Sequence, residues 1–268
     1  MRHLCLNPSI DFIQAKIKDN TEKISYLSRI NHLHMKLPLG FLCSFLLILS
    51  SCNTVTVGEG PVIQQSRIPD DFSKLELDIP ANLTYIVADS VSLTIGAPKN
   101  ILDIITTDID GRTLEIKSTN DYKTEKRVEI IMTIRPLDAI QLNGSGEIRG
   151  INVMKGKELK LSINGSGDIK GHYDYRMIRT EINGSGDAHL SGKTEEHKIN
   201  INGSGKAHAE DLIADIYRIS INGSGDADIQ AQSKLLVKII GSGNVRYAGE
   251  PAISSEITGS GEVKKQKR

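Results

Sequence analysis

The chain has 268 residues, 38% of them apolar and 25% charged, with no net formal charge. That composition fits one or two globular domains and gives no support to a nucleic-acid partner, which calls for a clustered basic excess. Aromatic residues make up only 4% and tryptophan is absent, so few side chains are available to stack on sugars or bases.

Residues 1–34 carry no clear pattern and read as a leader or an over-extended start. The character changes at Met35-Lys36, where the apolar run LPLGFLCSFLLIL (37–49) begins and leads into Ser50-Ser51-Cys52. A basic start, a short apolar core and small residues at the boundary make a secretory signal over 35–51. The core is shorter than the roughly 20 apolar residues that span a bilayer. Leu49-Ser50-Ser51-Cys52 resembles a bacterial lipobox, which predicts Cys52 as the lipidated first residue of the mature chain. Cys5 and Cys43 fall before that point, so the exported part would hold no disulfide and its stability would rest on packing. Without residues 1–51 the chain keeps 27 basic and 30 acidic side chains, a mildly acidic balance.

Residues 52–64 read as a linker. The next segment, 65–136, is β-rich: KLELDI (74–79), LTYIV (83–87), SVSLTI (90–95), TLEIKS (113–118) and VEIIMTI (128–134) alternate or run apolar. Asp110-Gly111 reads as a tight turn. This stretch forms either the first coils of a longer repeat array or a cap over its end.

Over 137–263 a Gly-Ser-Gly triplet recurs, starting at Gly144, Gly165, Gly184, Gly203, Gly223, Gly241 and Gly259, so the spacings are 21, 19, 19, 20, 18 and 18. Two positions before each first glycine stand Leu142, Ile163, Ile182, Ile201, Ile221, Ile239 and Ile257. Alternation on the approach, as in LKLSIN, is the period of a strand with one buried face. Each unit is thus expected to be a strand, a bend, a second short strand and a variable return. A unit this small cannot cover its own apolar face and must stack on its neighbours. The expected fold is all-β, a parallel β-helix (β-solenoid) of about seven coils, near 34 Å tall at about 4.8 Å per coil. Leucine-rich repeats and propeller blades fit the pattern or its length less well. The tail 264–268 (KKQKR) would keep the last coil soluble and unpaired.

In this arrangement the glycines mark corners where the backbone needs positive φ or close approach. Asn143, Asn164, Asn183, Asn202 and Asn222 are expected to stack as an amide ladder between coils. The triplet serines, one per coil, would form a hydroxyl ladder, since a catalytic serine should be singular. Glu147, Asp168, Asp187 and Asp226 follow their triplets and would line up as carboxylates that could recruit Ca²⁺, although Lys206 interrupts the line; a solvated acidic edge is the simpler reading. His189 and His208 share a column and could pair or bind metal, but no cysteine or further histidine completes a tetrahedral set. Tyr173, Tyr175, Tyr217 and Tyr247 suit sugar contact or packing equally. No phosphate loop and no acid–base pair stands out, so neither catalysis nor a cofactor is expected.

SRIPDDFSKLELDIPANLTYIVADSVSLTI, followed by ITTDIDGRTLEIKS and the Asn-Gly-Ser-Gly coils, resembles the head GIN domain family of auto-transporter adhesins. The matching elements are the Arg67, Phe72, Leu75 opening, the Asp110-Gly111 hairpin with Leu114 and Ile116, and the coils, over residues 65–263. The resemblance implies an exported, often lipid-anchored protein of Bacteroidetes-type bacteria, adhesive by name, with no functional residues to carry over. The expected function is a non-enzymatic, lipid-anchored cell-envelope protein with a binding or structural role. Its partners would be the membrane, through a lipid on Cys52, and a protein or glycan. The outer membrane is the expected location. Surface-displayed lipoproteins of such bacteria typically carry an acidic cluster close to the lipidated cysteine, whereas the first acid here is Glu59, which leans toward a periplasmic assembly role. A polysaccharide-binding or polysaccharide-acting protein is the further alternative, since β-helices also host lyases.

Overall fold

The computed structural model of the chain describes residues 55–266; the expected leader (1–34), signal segment (35–51) and lipidation site Cys52 lie outside the described residues. The first part holds β1 (Thr56–Val57), β2 (Val62–Arg67), β3 (Lys74–Leu77), β4 (Ala81–Val87), β5 (Ser92–Pro98), the single-turn helix α1 (Lys99–Leu102), β6 (Ile105–Asp110), β7 (Thr113–Ser118), β8 (Tyr122–Lys123) and β9 (Val128–Ile134). The repeats form β10 (Ala139–Gly144), β11 (Glu147–Gly165), β12 (Asp168–Gly184), β13 (Asp187–Gly203), β14 (Lys206–Gly223), β15 (Asp226–Gly241), β16 (Asn244–Ala248), β17 (Ala252–Gly259) and β18 (Glu262–Lys265). All neighbours in this second set pair in parallel, in one continuous β-solenoid of about seven turns.

Each full coil is a single bent strand of 16 to 19 residues, running from one Gly-Ser-Gly bend to the first glycine of the next. The second short strand and the variable return expected of each unit run on as one continuous strand, because apolar alternation persists almost all the way round. In β12 the inward residues are Ile169, Gly171, Tyr173 and Tyr175, then Ile178, Thr180 and Ile182. The alternation slips by one residue at Arg176–Met177, which keeps the apolar side inward as the coil bends.

Stacking turns these positions into core columns. Leu142, Ile163, Ile182, Ile201 and Ile221 lie in register on successive coils and are all fully buried. Burial of each such side chain is worth about 1.5–3 kcal/mol, so the column is a principal source of cohesion between coils. The unequal repeat spacings are absorbed away from the corners. Two extra residues bulge out of β11 between Arg149 and Val153, and one out of β14 beyond His208, while the glycines stay in register throughout.

Residues 65–136 supply both coils and cap. β3 continues the repeat sheet beside β10, and β4 lies beside β11. Outside them lie β7, parallel to β3, and β9, parallel to β4. The coil order along the stack is therefore 113–134, then 74–87, then the repeats, because the chain steps outward after β4 and returns past it to β10. Antiparallel strands β5, β2 and β6 close the edge, over a core that includes Leu93, Ile95, Ile101 and Leu102.

Two boundaries differ from expectation. The supposed linker 52–64 is in the fold from residue 55 onward: β1 pairs with β8, and Asn100 of α1 clamps it by donating to the Val57 carbonyl (2.6 Å) and accepting from the Glu59 N–H (3.0 Å). At the other end Lys264 and Lys265 belong to β18, paired with Arg246 and Tyr247, and the Gln266 N–H donates to the Tyr247 carbonyl at 2.8 Å. The backbone ladder offered by β16 outcompetes a free tail. The last coil remains open, with all of β17 exposed.

Candidate functional site

Among the described residues every one with positive φ is a glycine, and the first glycine of each triplet is in that set. Gly184 shows why: φ is +129°, and a Cβ there would stand 2.3 Å from the Gly165 carbonyl oxygen. The coils approach so closely at the corner that only glycine fits. The serines contribute through their backbone, each from Ser166 to Ser260 donating its N–H to the first glycine carbonyl of the preceding coil at 2.8–2.9 Å. Their side chains point to solvent, and the expected hydroxyl ladder does not form.

The asparagine ladder does form over part of its length. Asn164 donates to Asn143 (2.8 Å), Asn183 to Asn164 (3.0 Å) and Asn202 to Asn183 (2.9 Å). At its base Asn143 donates to Glu76 (2.9 Å) and Asp78 on the next coil down. Burial first, then the charges of Asp78 and Glu115, raise the Glu76 pKa, with Asn143 and Lys117 opposing. Asn222 stands in register between Asn202 and Ile240 but carries no amide bond to either.

Beside the corner run two outward columns, two residues apart on each strand. The first is Glu147, Asp168, Asp187, Lys206, Asp226, Asn244 and Glu262. The second, of which the amino-acid pattern reveals only the histidines, is Arg149, Lys170, His189, His208, Asp228, Arg246 and Lys264. The two interlock. Lys170 pairs with Glu147 (2.5 Å), Lys206 with Asp228 (2.9 Å) and Arg246 with Asp228 (2.6 Å). Burial opposes ionisation of Glu147 and Asp228, but bonds from Lys170 and Arg149 to the first, and from Arg246 and Lys206 to the second, outweigh it and hold both carboxyls below their ordinary values. The carboxylates also cap backbone: Asp187 accepts from the Lys206 N–H (2.9 Å) and Asp226 from the Asn244 N–H (3.0 Å). The four acids expected as a calcium line are thus brought into one column, where each is bonded to a lysine, an arginine or a backbone N–H.

In the middle of the second column the rings of His189 and His208 stack, centroids 4.4 Å apart and planes 4° from parallel. His172, His189 and His208 line one groove with Glu210 and Asp211. His197 is elsewhere, wholly inside the core, with Thr180 Oγ1 2.9 Å from Nε2. Its Nδ1 has no partner among the described residues. Tyr173, Tyr175 and Tyr217 are core residues as well, so they offer no face to a sugar; Tyr175 donates to the Leu137 carbonyl and Tyr217 to the Leu212 carbonyl, both at 2.7 Å. Tyr247 packs against the core and is half-buried.

Solved structures with this fold include a putative adhesin from Bacteroides fragilis, 23% identical, covering 78% of this chain and 99% of its own, with a TM-score of 0.74. A putative lipid binding protein from Parabacteroides distasonis is 23% identical over 80% of this chain and 100% of its own, with a TM-score of 0.67. A putative adhesin from Parabacteroides merdae is 22% identical over 79% and 99%, with a TM-score of 0.61. No curated protein matches the chain. The family described as "Putative auto-transporter adhesin, head GIN domain" matches residues 71–251, most of the chain and all the complete coils, and the chain belongs to that family.

Proposed function

We propose that this protein is an exported, lipid-anchored rod of the cell envelope that works by presenting a surface, adhesin-like, without catalysis. The observation that carries this reading is the register of the outer columns. Seven corners hold polar and charged side chains at a fixed repeat along one edge, from Glu147 to Glu262. A ruled array of this kind suits multipoint contact with a protein or glycan, in which many weak contacts at matched spacing add up. Family membership and the adhesin names on structural relatives support the same reading. The signal segment and Cys52 supply the export and the anchor, and the outer membrane is the proposed address. Among the described residues no helix is long and apolar enough to cross a membrane, so attachment in this reading rests on the lipid.

The first acid after Cys52 is Glu59, which favours a second reading in which the same rod faces the periplasm and serves envelope assembly. Protease treatment of intact cells, wild type beside Cys52→Ser, separates the two. Shaving of the wild type and release of a soluble Cys52→Ser protein are expected for an outward-facing anchored rod. Protection until the outer membrane is opened would replace the adhesin reading with the periplasmic one, and membrane retention of Cys52→Ser would contradict the lipid anchor in both.

A further inference from the structure

The groove beside the second column has a volume of about 400 Å³ and gathers three of the histidines. It opens where the strands bulge: at Arg149–Val153 in β11 and at His189–Ser191 against Asp211 in β14. Such bulges re-aim side chains and recur beside functional sites. One ring nitrogen each of His189 and His208, which line the groove, and a carboxylate oxygen of Asp187 lie within 4.8 Å of one another. Asp187 Oδ1 accepts from the Lys206 N–H at 2.9 Å; the other oxygen enters no hydrogen bond among the described residues. All three side chains are half-buried, and so reachable from solvent.

We propose that His189, His208 and Asp187 bind one divalent transition-metal ion of the zinc class, bridging two adjacent coils. Two imidazoles and one carboxylate are the donor set of open zinc sites, and imidazole selects such ions over calcium or magnesium. The neighbouring trio His208, Glu210 and Asp228 is less suited, since Asp228 is already paired with Lys206 (2.9 Å) and with Arg246 (2.6 Å). Ligand bonds of about 2.0–2.1 Å bring donor atoms to within about 3.4 Å of each other. The stacked rings therefore tilt toward a common point when the ion enters. The fourth position is left to water or to a group from outside, so the site can fix a partner as well as staple the coils.

The test is calorimetric titration of the chelator-stripped full chain with zinc chloride, then with calcium chloride. One zinc ion per chain is expected. His189→Gln and His208→Gln should each weaken it at least about tenfold, Asp187→Asn less, while His172→Gln leaves it unchanged and calcium does not compete. Zinc binding unchanged in the His189→Gln/His208→Gln double variant, no zinc uptake by the wild type, or displacement by equimolar calcium would each overturn the proposal. Should a variant lose its strand signature, histidine ring resonances of the wild type decide instead. Shifts confined to His189 and His208 at substoichiometric zinc uphold the site, and shifts elsewhere reject it.

Discussion

His197 is an imidazole placed where the column supplies Ile178 on one side and Tyr217 on the other. Burial lowers its pKa from 6.5 to about 3, because a charge there would lose its water and gain only a threonine hydroxyl. The depressed value sets the sign of the linkage. Below 6.5 the unfolded chain takes up a proton that the folded chain refuses, so this group's contribution is intact above 6.5 and is lost as the pH falls toward 3. The loss approaches about 1.4 kcal/mol per pH unit. Urea midpoints measured from about pH 7 down to about pH 4 should fall steeply in the wild type and less so in His197→Leu. Parallel curves would show that the acid limb belongs to other groups. Sequence alone could not separate His197 from His189, since both sit in strand alternation; the distinction is which face each meets, and that depends on where the alternation slips.

At the scale of the element, the corner is held by backbone and the ladder adds to it. Asn183 both donates to Asn164 and accepts from Asn202, whereas Asn222 has lost its upper neighbour to Ile240. Asn183→Ala is therefore expected to cost about 1 kcal/mol and Asn222→Ala close to nothing, read from chemical denaturation. Equal costs would mean that the amides act through the corner conformation and not through each other. The ladder and the buried isoleucine column were legible from the triplet spacing, because a parallel stack repeats in space what the chain repeats in order. The coil at 74–87 was not, since its corner is Asp78-Ile79-Pro80-Ala81 and contains no glycine. Its place between 113–134 and the repeats depends on pairing between distant segments, which no local period encodes. The second outward column is illegible in the sequence for a related reason: Arg149, Lys170, Asp228, Arg246 and Lys264 share a position and not a charge, and their meaning lies in the charged side chains beside them. The histidine groove needed the bulges as well, and an extra residue in a repeat shows only as irregular spacing.

For the molecule as a whole, cohesion is nearest-neighbour: each coil buries its apolar columns against the one below and the one above. One end is closed by antiparallel strands and the other exposes Ile253 and Ile257 on β17, so the stack is polar in construction. Because the corners carry the register and the bulges absorb length, a whole coil should be removable where part of one is not. The most direct measurement is denaturation of a chain lacking residues 185–203, one complete coil that rejoins Gly184 to Ser204, beside a chain lacking only residues 185–194. The complete-coil deletion is expected to keep the strand signature and a single unfolding transition, with a denaturant slope reduced in line with the surface removed, while the partial deletion fails to fold. If the two deletions are equally damaging, the triplets are not interchangeable corners and the stacked-coil account is wrong.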